Sequence, residues 1–328
     1  MREAIQNEAL INEYKGNLFE FLVAQKIAQY FDLEAQFLTD LLPLYKEKLV
    51  LYENEIKKLD SVLYRHLPKL AEKTFSALLE KLPFKPQRIF LVGKVAKSSA
   101  HDLDASDVLL MSPLNELLGL SLKLGKDQSF VNTKSGGVKS FLKEYFAHPE
   151  ANKMQEELNQ KLTMHYQNFA HALYQLVDLD PFDDFKSWRA QHLTELPGEL
   201  EGEAREVLLQ YYNQCIKDFY TKLNFFQKSD PKLFKESILK LLGFSDKKMI
   251  QVLTAHVDHQ FKAVKLICSE DFDQTEFTFK EKSLDDLQTS SFHLVSDQLT
   301  LQIRMKPMNV FTTASMKVNC SVKYRQLL

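Results

Sequence analysis

Two short runs decide the fold: Ser106-Asp107-Val108-Leu109-Leu110-Met111 and, after five residues, Leu117-Leu118-Gly119-Leu120-Ser121-Leu122-Lys123-Leu124. In the second run Leu118, Leu120, Leu122 and Leu124 alternate with Gly119, Ser121 and Lys123. A period of two is that of a strand with one buried face, so Ser121 and Lys123 share the other face. Asp107 stands 16 residues before Lys123, a hairpin length that brings both side chains to one sheet edge. Upstream, Arg88–Val95, with Ile89-Phe90-Leu91-Val92 at its centre, reads as a third strand.

The surrounding chain alternates between helix and strand patterns. Residues 7 to 80 read as helix, with Leu18, Phe21, Leu22, Gln25, Ala28 and Phe31 near a 3.6 period. Leu49, Leu51, Ile56, Leu59, Leu63 and Leu67 continue the apolar spacing, and Pro43 kinks or separates two helices. Residues 138 to 264 read as mainly helical, interrupted near Pro181, Pro197-Gly198 and Pro231. Residues 264 to 328 return to strand. There Leu299, Leu301, Ile303 and Met305, then Val318, Cys320, Val322 and Tyr324, alternate with polar residues. The expectation is an α+β protein in three segments: 1–145 with N-terminal helices and the first strands, a helical region over 146–263, and a β region over 264–328.

Composition narrows the function. The chain of 328 residues has only 9 glycines and contains neither G-x-G-x-x-G nor a Walker loop, which excludes the two commonest nucleotide-binding fingerprints. No G-x-S-x-G elbow supports a hydrolase triad. Five of the glycines, Gly93, Gly119, Gly125, Gly136 and Gly137, crowd around the two deciding runs. Cys215, Cys268 and Cys320 are widely spaced and read as buried thiols of a reduced compartment. Met1-Arg2-Glu3-Ala4 opens no apolar signal region, and no apolar run reaches the length of a membrane span, so a cytoplasmic protein without a membrane partner is expected.

The formal net charge is −2, yet basic residues are segregated. From Gln298 to Leu328 the chain carries Arg304, Lys306, Lys317, Lys323 and Arg325 and no acid. These residues and Asn319 fall on the polar face of the C-terminal strand pair. Arginine and asparagine there have the donors to read guanine and adenine, and a two-stranded ribbon fits the DNA major groove. The stretch Asn132-Thr133-Lys134-Ser135-Gly136-Gly137-Val138-Lys139 precedes a helical run. It reads as a turn whose backbone amides, with Asn132, Lys134, Ser135 and Lys139, contact phosphate.

The deciding runs also carry the candidate chemistry. A carboxylate at Asp107 suits Mg²⁺, which takes oxygen ligands and keeps several waters. A lysine beside it stabilises charge developing on a phosphate. Glu13 and Glu20 lie seven apart on the first helix and so share a face.

A helix bearing Glu20, a strand opened by Asp107 and a strand carrying Ser121-Leu122-Lys123 together resemble the nuclease core of the PD-(D/E)xK superfamily. The match is to the variant of some type II restriction endonucleases in which Ser-x-Lys stands for acid-x-Lys. The resemblance spans residues 10 to 145 and is carried by these motifs. It implies a restriction-endonuclease-like mixed sheet flanked by helices, with the large helical segment and an antiparallel C-terminal β-ribbon added. It further implies Mg²⁺ held by Asp107, the carbonyl of Leu122 and Glu20. Lys123 would stand beside the attacking water and Ser121 in the place of the second acid. Glu116, ahead of the strand, is the less favourable substitute acid. The implied activity is sequence-specific, Mg²⁺-dependent hydrolysis of double-stranded DNA by a homodimer. A DNA-binding protein whose nuclease core has lost catalysis and a helical protein-interaction module are the alternatives.

Three weaker constellations complete the reading. His256 and His259, three apart, are expected on one helix face and lack further metal ligands. Asp178, Asp180, Asp183 and Asp184 lack calcium-loop spacing and read as a polar interhelical loop. Phe219, Phe225 and Phe226 read as core.

Overall fold

The computed structural model describes residues 2–92, 106–127, 129–244 and 248–325. Gly93, the remainder of the expected first strand and the residues beyond Arg325 lie outside them. The chain forms two compact units: Met1–Val131 with Gly243–Gln274, and Asn132–Leu242 with Thr275–Leu328. This differs from three consecutive segments, because the chain leaves the first unit, builds most of the second, and returns.

In the first unit the N-terminal helical region is four helices: α1 (Arg2–Tyr30), α2 (Glu34–Asp40), α3 (Pro43–Leu59) and α4 (Ser61–Leu79). Pro43 occupies the first turn of α3, where its missing N–H costs nothing. Asp60 caps α4, accepting a hydrogen bond from Leu63 N at 2.9 Å. The apolar stripe of α1 is rotated from the expected one. Phe19, Val23, Ala24, Ile27 and Ala28 are fully buried, whereas Phe21 and Leu22 only flank the core.

These helices pack on a mixed sheet of β1 (Arg88–Leu91), β2 (Val108–Met111), β3 (Leu117–Lys126), β5 (Met249–Val257) and β6 (Gln260–Cys268), in that order. Strands β1, β2 and β3 form an antiparallel meander, β5 runs parallel to β3, and β6 returns antiparallel. Val108, Leu110, Leu118, Leu120 and Leu122 face one core with Phe19, Ile27, Tyr45, Ile56 and Leu67. Gly119 is required by close approach: a Cβ there would lie 3.1 Å from that of Ser106.

In the second unit β4 (Val131–Gly137, which starts on the unit boundary), β10 (Met316–Tyr324), β9 (Leu299–Pro307), β8 (Ser291–Val295) and β7 (Thr278–Phe279) form a second sheet. The β7–β8, β8–β9 and β9–β10 pairs are antiparallel. The helices are α5 (Phe141–Tyr145), α6 (Ala151–Leu176), α7 (Lys186–Ala190), α8 (Gly202–Ser229) and α9 (Pro231–Leu242). Phe219 of α8 packs on Phe292 of β8, and Phe226 is buried, but Phe225 is exposed. The alternation expected for β9 and β10 holds: Leu301, Ile303, Met305, Val318, Cys320 and Val322 are wholly buried. Cys215 is also buried, while Cys268 is partly exposed, and all three thiols are free. Among the described residues no helix is long and apolar enough to cross a membrane.

Three expectations need correction. The helical region ends at Leu242, and residues 249–268 are the hairpin β5–β6. Its two-residue turn, Asp258-His259, has positive φ at both positions, the geometry that matches strand twist. The usual Asn-Gly signal is missing, so the hairpin is disguised. His256 and His259 are therefore on a strand and its turn, with rings stacked at 5.7 Å between centroids. Second, Asn132–Gly137 is not a turn but part of edge strand β4. Third, β9 and β10 are not a free ribbon, since β8 and β4 cover their outer edges.

His256 is 2% exposed, and neither ring nitrogen has a partner among the described residues. Burial first, then the positive charges of Lys15 and Lys126 and the neighbouring His259, pushes its imidazole down to about 4. The folded chain therefore refuses a proton that the unfolded chain accepts near pH ~6.5. Stability is expected to fall by roughly 2–3 kcal/mol between pH ~6.5 and ~4. Urea unfolding across that range should show the loss in the wild type and a flatter profile in His256→Phe.

Candidate active site

Asp107 immediately precedes β2, where the β2–β3 ladder ends. Its N–H donates to Leu120 O at 2.8 Å, the last backbone bond of the hairpin on that side among the described residues. The next donor on β3, Leu122 N–H, meets no strand. It donates instead to the Asp107 carboxylate, reaching Oδ2 at 2.6 Å. The side chain thus substitutes for the carbonyl that a longer β2 would have offered. Along a strand, backbone groups of alternate residues point the same way. The carbonyl of Leu122 therefore points where that of Leu120 does, past the end of β2.

Two further groups converge on the same oxygen. Lys123 Nζ lies 3.3 Å from Asp107 Oδ2, and Ser121 Oγ lies 3.4 Å from it, at the limit of a hydrogen bond. The pair is only partly exposed, at 28% for the Lys123 side chain and 20% for that of Asp107. All three donors use Oδ2, and Oδ1 has no partner among the described residues. The structure thus brings Asp107, Ser121, Leu122 and Lys123 together, as the sequence spacing suggested.

Glu20 is on α1, which packs against β3. Its charge and that of Asp107 both act on the phenol of Tyr45, a residue of α3 that sequence reasoning missed. Burial first, with Glu20, Tyr52 and Asp107 adding to it, pushes the Tyr45 hydroxyl far above its usual range. Glu116 is no substitute acid. It sits at the far end of the hairpin, bonded to Ser112 through its backbone, with Lys248 at 3.8 Å from its carboxylate.

Among the described residues no cluster of three or more His, Cys, Asp or Glu is set to hold an ion. Mg²⁺ does not demand one, since it binds through one or two carboxylates and keeps its waters. Asp107 Oδ1, which has no partner among the described residues, and the Leu122 carbonyl are donors of the kind such a cation takes, and the carboxylate of Glu20 would complete an all-oxygen set.

The basic residues divide differently. In the β9–β10 register Lys306 faces Lys317 and Arg304 faces Asn319. Asn132 of β4 joins this face, its Oδ1 accepting from Asn319 Nδ2 at 3.0 Å and Ser321 Oγ at 2.8 Å. Lys323 lies further along, opposite Thr300. Lys134 and Ser135 are on β4, Arg325 just past β10, and Lys139 beyond the sheet. No phosphate cradle forms at Gly136-Gly137, since neither has positive φ and α5 is a single short turn of five residues. Gly136 instead makes room for rings: a Cβ there would lie 3.3 Å from both Phe141 and Tyr145. Asp183 is also structural: hydrogen bonds from Ser187 first, and then from Tyr174 Oη, hold its carboxyl down at about 2.

No protein-family model matches the chain, and no curated protein or solved structure matches it.

Like charges directly opposed across a ladder destabilise it. Burial first, with Lys317 and Arg304 adding to it, pushes the Lys306 ammonium below the usual lysine range. Replacing Lys306 by Met should stabilise the free protein at pH 7 by about 0.2–1 kcal/mol. Because the folded lysine sheds its proton first, its cost shrinks as pH rises toward ~10.4. Urea midpoints of wild type and variant should converge at high pH.

Proposed function

We propose that the chain is a Mg²⁺-dependent endonuclease acting on double-stranded DNA, of the type II restriction class, built on a restriction-endonuclease-like core. The observation that carries this reading is the convergence of Leu122 N, Ser121 Oγ and Lys123 Nζ on one oxygen of Asp107, at the point where β2 and β3 part. It is supported by chain order: an acid-bearing helix, a strand opened by Asp107, then a strand carrying Ser-Leu-Lys.

Asp107 Oδ1, the Leu122 carbonyl and Glu20 would hold the cation, which when bound supplies Lewis-acid polarisation of the phosphate and a more acidic water. The bond from Leu122 N–H holds the Asp107 side chain in place, and a hydrogen bond to a carboxylate is stronger than one between neutral groups. Lys123 brings positive charge to the same oxygen, where it can neutralise negative charge building on a phosphate. Ser121, 3% exposed, donates to the carboxylate and adds no charge. The site therefore works with fewer acids than the acid-x-Lys pattern. This also favours the second reading, a DNA-binding protein with a silent nuclease core.

In the second unit Arg304, Lys306, Lys317, Asn319 and Asn132 would meet DNA, joined by Lys323. The opposed lysines cost stability in the free protein, and a phosphate backbone removes that cost. Cutting both strands calls for two copies of the site, so a homodimer belongs to the proposal.

Plasmid cleavage in Mg²⁺ should yield discrete fragments that share an end sequence. Lys123→Ala and Asp107→Asn should each lower the rate by roughly 10²–10³-fold or more. Asn keeps an acceptor for Leu122 N–H, so the loss reports chemistry. Fragment formation at wild-type rate by either variant overturns the assignment, and salt-dependent binding without cleavage selects the second reading. Lys317→Ala should weaken duplex binding and reduce the slope of log K against log salt by about 1.

A further inference from the structure

Tyr45 is 6% exposed, and its Oη has no hydrogen-bond partner among the described residues. A buried hydroxyl left unpaired bears its full desolvation cost, so each case calls for a reason. Here the surroundings supply one. Tyr45, in the first turn of α3, belongs to the same core as Leu120 and Leu122, the residues that bracket Ser121 on β3. Its helix, α3, packs on α1, which carries Glu20. The charges of Glu20 and Asp107 both reach its ring, yet neither carboxylate meets the hydroxyl directly.

A phenol donor close to two carboxylates, and bonded to neither, suits an acceptor held by both. We infer that Tyr45 Oη donates a hydrogen bond to a water carried by the divalent cation at Asp107 and Glu20. Tyr45 is then a positioning residue of the metal site, acting through that water. The inference rests on the metal reading above and adds a residue to it. No covalent step is involved. The O–H exchanges an unpaired, buried state for a hydrogen bond that exists only when the cation and its water shell are present. Cation binding and satisfaction of the hydroxyl are therefore coupled, since whatever pairs the phenol only in the loaded state favours loading. Outer hydrogen-bonding partners of this kind change metal affinity by roughly 10–100-fold.

The test uses the full chain, MgCl₂ as the probe and thermal unfolding as the readout, so no DNA or turnover is needed. Wild type should show a Tm that rises with Mg²⁺. Tyr45→Phe deletes only the oxygen. Its metal-free Tm should be higher than that of wild type, because the unpaired hydroxyl is gone, while its apparent Mg²⁺ affinity should be weaker by roughly tenfold or more. A metal-free Tm below that of wild type would show that the hydroxyl already had a partner, and would overturn the inference. So would Mg²⁺ affinity equal to that of wild type. Asp107→Asn separates the two levels. If wild type does not respond to Mg²⁺, or responds as Asp107→Asn does, the metal reading itself fails and the role of Tyr45 falls with it. If Asp107→Asn loses the response and Tyr45→Phe keeps it, only the role of Tyr45 is overturned.

Discussion

The hydrogen bond from Leu122 N–H to Asp107 Oδ2, at 2.6 Å, is the interaction on which the site depends. It ends one strand pairing without leaving the next backbone donor unpaired, a defect that would be costly this close to the core. Because the acceptor is a carboxylate, the bond is charge-assisted and fixes the side chain as firmly as a ladder bond fixes a strand. One oxygen of Asp107 is thereby committed to the protein and the other is left open. Where β2 diverges from β3, the Leu122 carbonyl has no strand partner among the described residues. Under the proposed function, this way of ending a hairpin would also supply two oxygen ligands.

The register of β3 makes that arrangement unique. Leu118, Leu120 and Leu122 are buried against α1 and the helices that follow it, and the parallel pairing with β5 holds the strand on its other side. A shift by one residue would send Ser121 and Lys123 into the helical layer and the leucines outward, so the hydrophobic face forbids it. Gly119 belongs to the same argument. It lets Ser106, the neighbour of Asp107, lie against β3, where any Cβ would crowd it at 3.1 Å. Gly119 thus serves packing between strands.

How much of this was legible follows from the range of each signal. Period-two patterns exposed β3, β9 and β10 because each buries one face and leaves the other polar. The contact of Asp107 with Lys123 was legible because hairpin spacing is local. Hairpin β5–β6 was hidden: its strands sit in a stretch of mixed polarity, and its turn forces Asp258 and His259, not glycine, into positive φ. Strand β4 was read as a turn because Gly136-Gly137 looks like loop chemistry, whereas Gly136 answers to two aromatic rings nearby. Tyr45 carried no sequence signal at all. Its meaning comes from a missing partner, which only three-dimensional placement reveals.

Charge completes the picture, and it argues from cost. A net charge of −2 would suit almost any soluble globular domain, and on a sheet built for stability alone opposite charges would alternate across the ladder. The β9–β10 pair instead sets Lys306 against Lys317 and places Arg304 close enough to depress the Lys306 ammonium further. Each partner of that cluster raises the price of the others, and the acids that could have neutralised it are confined to other parts of the chain. A surface that is unfavourable when free becomes favourable when an anion covers it, because the anion repays repulsion as well as adding attraction. This is the electrostatic counterpart of the unpaired Tyr45 hydroxyl. In both places the described residues leave a demand unmet, and under the proposed function a phosphate backbone and its cation would meet it.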